Sequence, residues 1–296
     1  MAKVISDLVS VEDLCWGLTF FGTGGGGRIE AGRDLLAPVV ASGGSLTLVN
    51  PDDLADDALI CWAVIVGGKD SEEPPPDELK RLGLVHEAYP AIVPRLAAAV
   101  RELEAYTGKS IEALVSLELS SAATSATIMT ALELGIQVLD CDFVGRAIPE
   151  LPLTKLELRD RAPTPVVMLD RWGNRTIIKS AVGTPMVDRL GRMLSRAAYG
   201  GGIATVGSLM PLGEAQHSFV RGSLHKAMKV GAALRHGATM GDGLARLQPL
   251  VDVTNGVVLA QGEVTAVEWR DTQPYTFREL SYRITEAGPA GGNIEI

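Results

Sequence analysis

The chain has 296 residues, of which 46% are hydrophobic and 21% charged, the balance of an ordinary folded protein with a substantial core. A net charge of -9 and only 5% aromatic residues argue against a nucleic-acid partner, since there is neither a basic field for phosphates nor a stacking platform. Cys15, Cys61 and Cys141 are odd in number and far apart, which excludes a disulfide framework and CxxC zinc motifs and predicts reduced thiols in a cytoplasmic protein.

In chain order, "SVEDLCWGLTFFG" places Ser10 three residues before Asp13, which predicts a capped helix start there. Val11, Leu14, Cys15, Leu18 and Phe21 then fall on one face. The run Gly22 to Gly27 must end that helix. A second helix is expected over 31–42, followed by the strand "SLTLV" and a fully buried strand, "ALICWAVIV". The longest apolar stretch is well short of the roughly 20 residues of a membrane helix, so no membrane partner is expected. "KDSEEPPPDE" reads as a surface loop. A helix over 90–107, a strand "ALVSLEL", a helix "TSATIMTALELG" ending at Gly135 and a strand "IQVLD" complete an α/β layer with at least partly parallel pairing. Asp140 thus falls at the carboxyl end of a strand, where open α/β sheets gather ligand sites.

From about residue 163 the pattern becomes richer in strands. "PVVMLD" and "RTIIKS" flank "RWGN" as a β-hairpin. A helix over 184–199, a strand "IATVGSLM" and a helix over 223–236 follow. "VDVTNGVVLAQGEVTAVEW" alternates like antiparallel strands, with Asn255-Gly256 as its turn. The fold class expected is α/β, with a mixed-sheet domain over 1–162 and a more β-rich domain over 163–296 that ends inside an incomplete β region.

Three constellations could carry chemistry. "GTGGGG" lacks the Lys-Ser or Lys-Thr of a P-loop and follows a helix where a dinucleotide fingerprint follows a strand. What remains is either a sharp connector or a nest of backbone N–H groups facing an anion or developing oxyanion. Four consecutive glycines lose more entropy on folding than a connector requires, which favours the nest. In "DCDFVGRAIPE", Asp140 and Asp142 share a face if extended, and could share a proton, hold a cation or be neutralised by Arg146; a turn-capping role is the plain alternative. Glu118 precedes Ser120, Ser121, Thr124 and Ser125, whose hydroxyls could meet a ligand or cap the next helix. His217, His225 and His236 form no HExxH or HxxxH pair, and no GxSxG elbow is present.

Taken together, "FFGTGGGG", the Glu118 strand end and "DCDFVGRAIPEL" resemble the S-methyl thiohydantoin desulfurase family, over about residues 10 to 240. The resemblance implies hydrolysis of a methylthio-substituted imidazolone, a ring-amide substrate, to a hydantoin and methanethiol. It carries Thr23, Gly24, Gly25, Gly26, Gly27 and Glu118 over as substrate-binding positions, and Asp140, Asp142, Arg146 and Glu150 as catalytic ones, with Gly145 as a matching glycine. Asp140 and Asp142 are also the expected ligands of a divalent metal, zinc being the candidate. The sequence departs from the family after Glu118, where relatives carry glycines and an asparagine and this chain has "LSSAATS", and relatives usually continue beyond residue 296. The rival reading is a non-catalytic binding or accessory subunit beside a hydantoin-processing enzyme. Self-association into a homo-oligomer is left open.

Overall fold

The computed structural model describes residues 2–67, 75–84, 86–159, 163–240, 243–272 and 275–287. Contacts divide it into two units, Met1–Met228 and Lys229–Ile296.

The first unit contains, in chain order, β1 (Lys3–Ile5), α1 (Leu8–Phe21), α2 (Ile29–Ala41), β2 (Leu46–Val49), β3 (Leu59–Val66), α3 (Pro76–Arg81), α4 (Ile92–Thr107), β4 (Ala113–Ser116), α5 (Ser121–Leu134) and β5 (Gln137–Leu139). It continues with β6 (Cys141–Asp142), β7 (Val166–Leu169), β8 (Arg175–Ile178), α6 (Thr184–Ala197), β9 (Ile203–Pro211), α7 (Leu212–Ala215) and β10 (Val220–Arg221). Helix α8 (Ser223–Gly237) runs across the division.

Eight strands form one sheet in the order β1-β2-β5-β4-β3-β9-β7-β8. Strands β2, β5, β4 and β3 are parallel, and β1, β9, β7 and β8 pair antiparallel. Such a sheet buries both faces, which is why β3 can read "LICWAVIV" with no polar residue. Its alternate side chains go opposite ways. Cys61 and Ala63 join the core under α1, α2, α4 and α5, while Ile60, Trp62, Val64 and Val66 join the core under α6 and the segment after β6.

Strands β7, β8 and β9, expected in a second domain beginning at 163, lie in this same sheet. Strand β9 pairs with β3 from Leu59 to Val66 and with β7 on its other side. The hairpin at "RWGN" forms as expected, with Asp170 Oδ1 accepting from Trp172 N and Asn174 N at 3.0 and 2.9 Å. Helix α1 starts earlier than Ser10. Its cap is Asp7, whose carboxylate accepts from Ser10 N at 2.8 Å and from Ser10 Oγ at 2.7 Å, so Ser10 lies inside the first turn. Residues 69–74 of the expected surface loop lie outside the described residues, and the Pro-Asp-Glu that ends it begins α3.

The second unit holds α9 (Gln248–Thr254), β11 (Ala260–Thr272) and β12 (Tyr275–Ala287). Asn255 does not turn a hairpin but caps α9 in the left-handed conformation, φ 53°. Asn is suited to that conformation in either setting, so the dipeptide alone does not distinguish a hairpin from a helix end. The hairpin is β11–β12, with Val264 opposite Tyr282 and Val267 opposite Leu280.

Candidate active site

A cavity of about 500 Å³ opens in the first unit beyond the carboxyl ends of β3 and β4. Val64, Val66, Leu117 and Ile148 give it apolar walls, and Glu118, Glu150, Asp188 and Arg192 give it charge. Parallel strands deliver their following loops to this end, so residues far apart in sequence converge here.

Gly26 and Gly27 close one side. Both have positive φ, 66° and 90°. They also lie against the first turn of α5: a Cβ on Gly26 would fall 2.3 Å from Ser120 Cβ, and one on Gly27 would fall 2.8 Å from Ala122 Cβ. The Gly26 carbonyl accepts from Ala122 N at 2.9 Å, fastening the loop to the helix. Thr23, Gly24 and Gly25 are exposed and do not line the cavity.

Glu118 leaves the end of β4 and is 8% exposed. Its Oε2 accepts from Ile148 N at 2.7 Å. Burial pushes its carboxyl above the ordinary value of 4.5, and the nearby charge of Asp142 pushes the same way. The Ile148 N–H, the Ser120 hydroxyl and Arg146 act in the opposite direction. Arg146 itself is exposed and is not a wall residue. Glu150, half-buried, lines the cavity.

Asp188 and Arg192 were missed at the level of sequence. One helical turn apart on α6, they have the spacing of a solvated pair, yet Asp188 is 3% exposed. Arg192 Nε donates to Asp188 Oδ2 at 2.7 Å, and its Nη2 donates to the Pro149 carbonyl. Asp188 Oδ1 accepts from Leu151 N at 3.1 Å. The pair therefore ties α6 to the 148–151 segment that faces Glu118. A signal was available in Gly191, which lets α6 approach Val66 and Met168 closely enough that a Cβ would meet them at 3.0 and 2.9 Å.

Asp140 and Asp142 are not brought into the cavity wall. Asp140 Oδ1 accepts from His225 N at 3.0 Å, in the first turn of α8. Asp142 is fully buried, and its Oδ2 accepts from Val144 N and Gly145 N at 2.9 and 2.5 Å. Gly145, at φ 87°, supplies the turn that brings its N–H back. Asp142 Oδ1 lies buried near the Ser223 hydroxyl without a well-formed hydrogen bond to it. Burial raises its pKa to about 6, against the pull of the Gly145 and Val144 N–H groups and the Ser223 hydroxyl.

These placements bear on the expected metal. Each of the two aspartates is engaged by backbone N–H groups of a different element, and neither His217 nor His225 reaches the cavity wall. Among the described residues, no group of three or more His, Cys, Asp or Glu is arranged to hold a metal ion. The described residues therefore offer no set of three protein ligands of the kind a zinc site takes. Also among the described residues, no helix is long and apolar enough to cross a membrane.

The mixed α/β sheet thus carries an acid-lined, glycine-closed cavity at the ends of its parallel strands, the place where open α/β sheets gather ligand sites. The chain belongs to the S-methyl thiohydantoin desulfurase-like family: it matches the S-Me-THD-like N-terminal domain over residues 9–180 and the C-terminal domain over 183–292. The family's division thus falls between β8 and α6. The fold is similar to that in the X-ray crystal structure of a protein from Chromobacterium violaceum, at a TM-score of 0.70 and 22% identity, covering 94% of this chain and 75% of that one. None of the curated proteins matches the chain.

Proposed function

We propose that the protein hydrolyses a methylthio-substituted imidazolone at this cavity, with Glu118 as the proton-transfer group. The observation that carries the reading is a buried glutamate in the wall of a mostly apolar cavity, its carboxylate fixed by the Ile148 N–H and its pKa raised. A carboxylate in that setting is a stronger base than one in water, and its pKa lies closer to neutral pH, so it can both take a proton and hold it for return.

The chemistry balances without a further reactant. Ionised Glu118 takes a proton from water as the water oxygen bonds to the ring carbon bearing sulfur. The C=N electron pair moves onto the ring nitrogen, giving a tetrahedral intermediate. As the C–S bond breaks, its electron pair leaves with sulfur, and the proton held by Glu118 passes to methanethiolate. The intermediate's hydroxyl becomes the hydantoin carbonyl as its proton moves to the ring nitrogen. The first turn of α5 borders the cavity through Ser120, Ala122 and Ala123, so the positive end of a 14-residue helix faces the charge that develops there. The Asp188–Arg192 pair holds the 148–151 wall in place. No step passes through Asp140, Asp142 or a metal; Asp142 contributes through its charge on Glu118.

Release of methanethiol from S-methyl thiohydantoins tests the reading. Glu118→Gln, which keeps the shape and loses the base, is expected to lower turnover about 100-fold or more. Turnover at the wild-type rate would remove Glu118 from this role. Binding of the ring without methanethiol release by the wild-type protein would support the accessory-subunit alternative.

A further inference from the structure

Glu118 sits where the chain leaves β4 and turns into α5, a place where a backbone usually has freedom. Here it has little. The Glu118 carbonyl accepts two hydrogen bonds, from Ser116 Oγ at 2.7 Å and from Thr124 Oγ1 at 2.9 Å. The two hydroxyls are 3.0 Å apart, and Thr124 Oγ1 also accepts from Ser120 N at 3.0 Å. Ser116 and Thr124 are both buried, at 1% and 0% exposure. A buried carbonyl needs one hydrogen-bond partner to be satisfied. Two side-chain hydroxyls, one from the strand and one from the helix, converging on the carbonyl of the cavity's glutamate form a clamp on that residue's backbone.

We propose that Ser116 and Thr124 are positioning residues, which act through the Glu118 backbone to aim its carboxylate at the cavity and at the Ile148 N–H. The inference rests on the reading of Glu118 as the proton-transfer group. Its physical basis is that a proton-transfer group must be held to a fraction of an ångström, and displacement by about 1 Å can reduce rate about 100-fold. The carboxylate has one backbone anchor, on the 148–151 segment; the clamp supplies the second fixed point, on the strand-to-helix turn. With either hydroxyl gone, the turn can rotate and the carboxylate can leave the Ile148 N–H without unfolding the domain.

Helix α5 provides its own controls. Thr127 and Thr130 are fully buried and donate to the Ala123 and Ala126 carbonyls at 2.9 and 2.7 Å, and neither contacts Glu118. Ser116→Ala, Thr124→Val, Thr127→Val and the conservative Thr124→Ser are compared for methanethiol release over a range of pH. In the same set, the Glu118 carboxyl is followed by carbon-13 NMR. Ser116→Ala and Thr124→Val are expected to lower kcat about 10-fold with KM within about 2-fold, and to move the Glu118 midpoint upward as the Ile148 N–H contact loosens. Thr124→Ser, which keeps the hydroxyl, should restore both, and Thr127→Val should leave both unchanged while lowering thermal stability comparably.

Equal effects of Thr124→Val and Thr127→Val on kcat, or an unmoved Glu118 midpoint in Ser116→Ala and Thr124→Val, would overturn the clamp. A wild-type protein that releases no methanethiol would overturn the proposed function instead. The carboxyl midpoint still decides the clamp in that case, because it needs no turnover.

Discussion

Asp142 shows how a residue can be conspicuous in sequence and be placed for a reason other than proximity to substrate. The pattern "DCD" marked it as a candidate, and its burial, its two backbone donors and the place of its Oδ1 near Ser223 were not readable there, because they depend on the turn at Gly145 and on α8 arriving overhead. Its raised pKa has a consequence for stability. The folded state favours the neutral form, so this contribution is fully present below the unfolded value of 3.8 and is lost as pH rises through about 6. Above that, the buried charge costs roughly 3 kcal/mol relative to its low-pH contribution. Asp142→Asn is neutral throughout, keeps an oxygen for the Val144 and Gly145 N–H groups, and can turn its amide toward Ser223. Its stability relative to wild type is therefore expected to improve between pH 4 and pH 8, by up to about 3 kcal/mol. Urea unfolding at a series of pH values measures this, and a difference that stays constant across the range would show that Asp142 does not titrate in it.

At the scale of elements, the helices and strands of the first half were largely legible because each has the periodicity its burial demands. Strand β3 reads as a continuous apolar run, α5 ends at Gly135 in the left-handed conformation, and β5 follows at once. Edge strand β1, three residues long, carries too little pattern to be seen. The glycine run was legible as unusual, though its separate positions were not. Gly25 has no positive φ, and a Cβ there would meet only the Gly22 carbonyl oxygen at an ordinary contact of 3.5 Å, whereas Gly26 has both the positive φ and the Ser120 collision. Gly25→Ala is accordingly expected to change stability by no more than about 0.5 kcal/mol. Gly26→Ala must move either the loop or the first turn of α5, at a cost of about 1–3 kcal/mol and with loss of ring binding. Thermal unfolding together with a ligand-binding titration of the two variants separates the positions. Equal behaviour would mean that the loop does not bear on α5 as tightly as described.

For the molecule as a whole, the strand–helix–strand order foretold the parallel half of the sheet. It could not foretell that β9 inserts beside β3, a pairing between residues about 140 apart that only packing decides. For the same reason α6, and with it Asp188 and Arg192, could not be placed at the cavity from sequence. Metal dependence is also a whole-molecule property. With 36 acidic residues, four histidines and three cysteines, donors are sufficient in number; a site requires that several converge in the right protonation state. The cysteines are all buried, with thiols held protonated by desolvation, Cys15 at about 12. Asp140 Oδ1 and Asp142 Oδ2 accept from backbone N–H groups of different segments, and no group of three or more donors forms among the described residues. Protein dialysed against a chelator is therefore expected to release methanethiol within about 2-fold of its original rate, to gain nothing from added zinc, and to carry well below one metal per chain by elemental analysis. The buried thiols leave a thiol-reactive dye free to report methanethiol alone. Release abolished by chelation and restored by zinc would mean that donors outside the described residues complete a site, and the water attacking the ring would then be activated by the ion and not by Glu118.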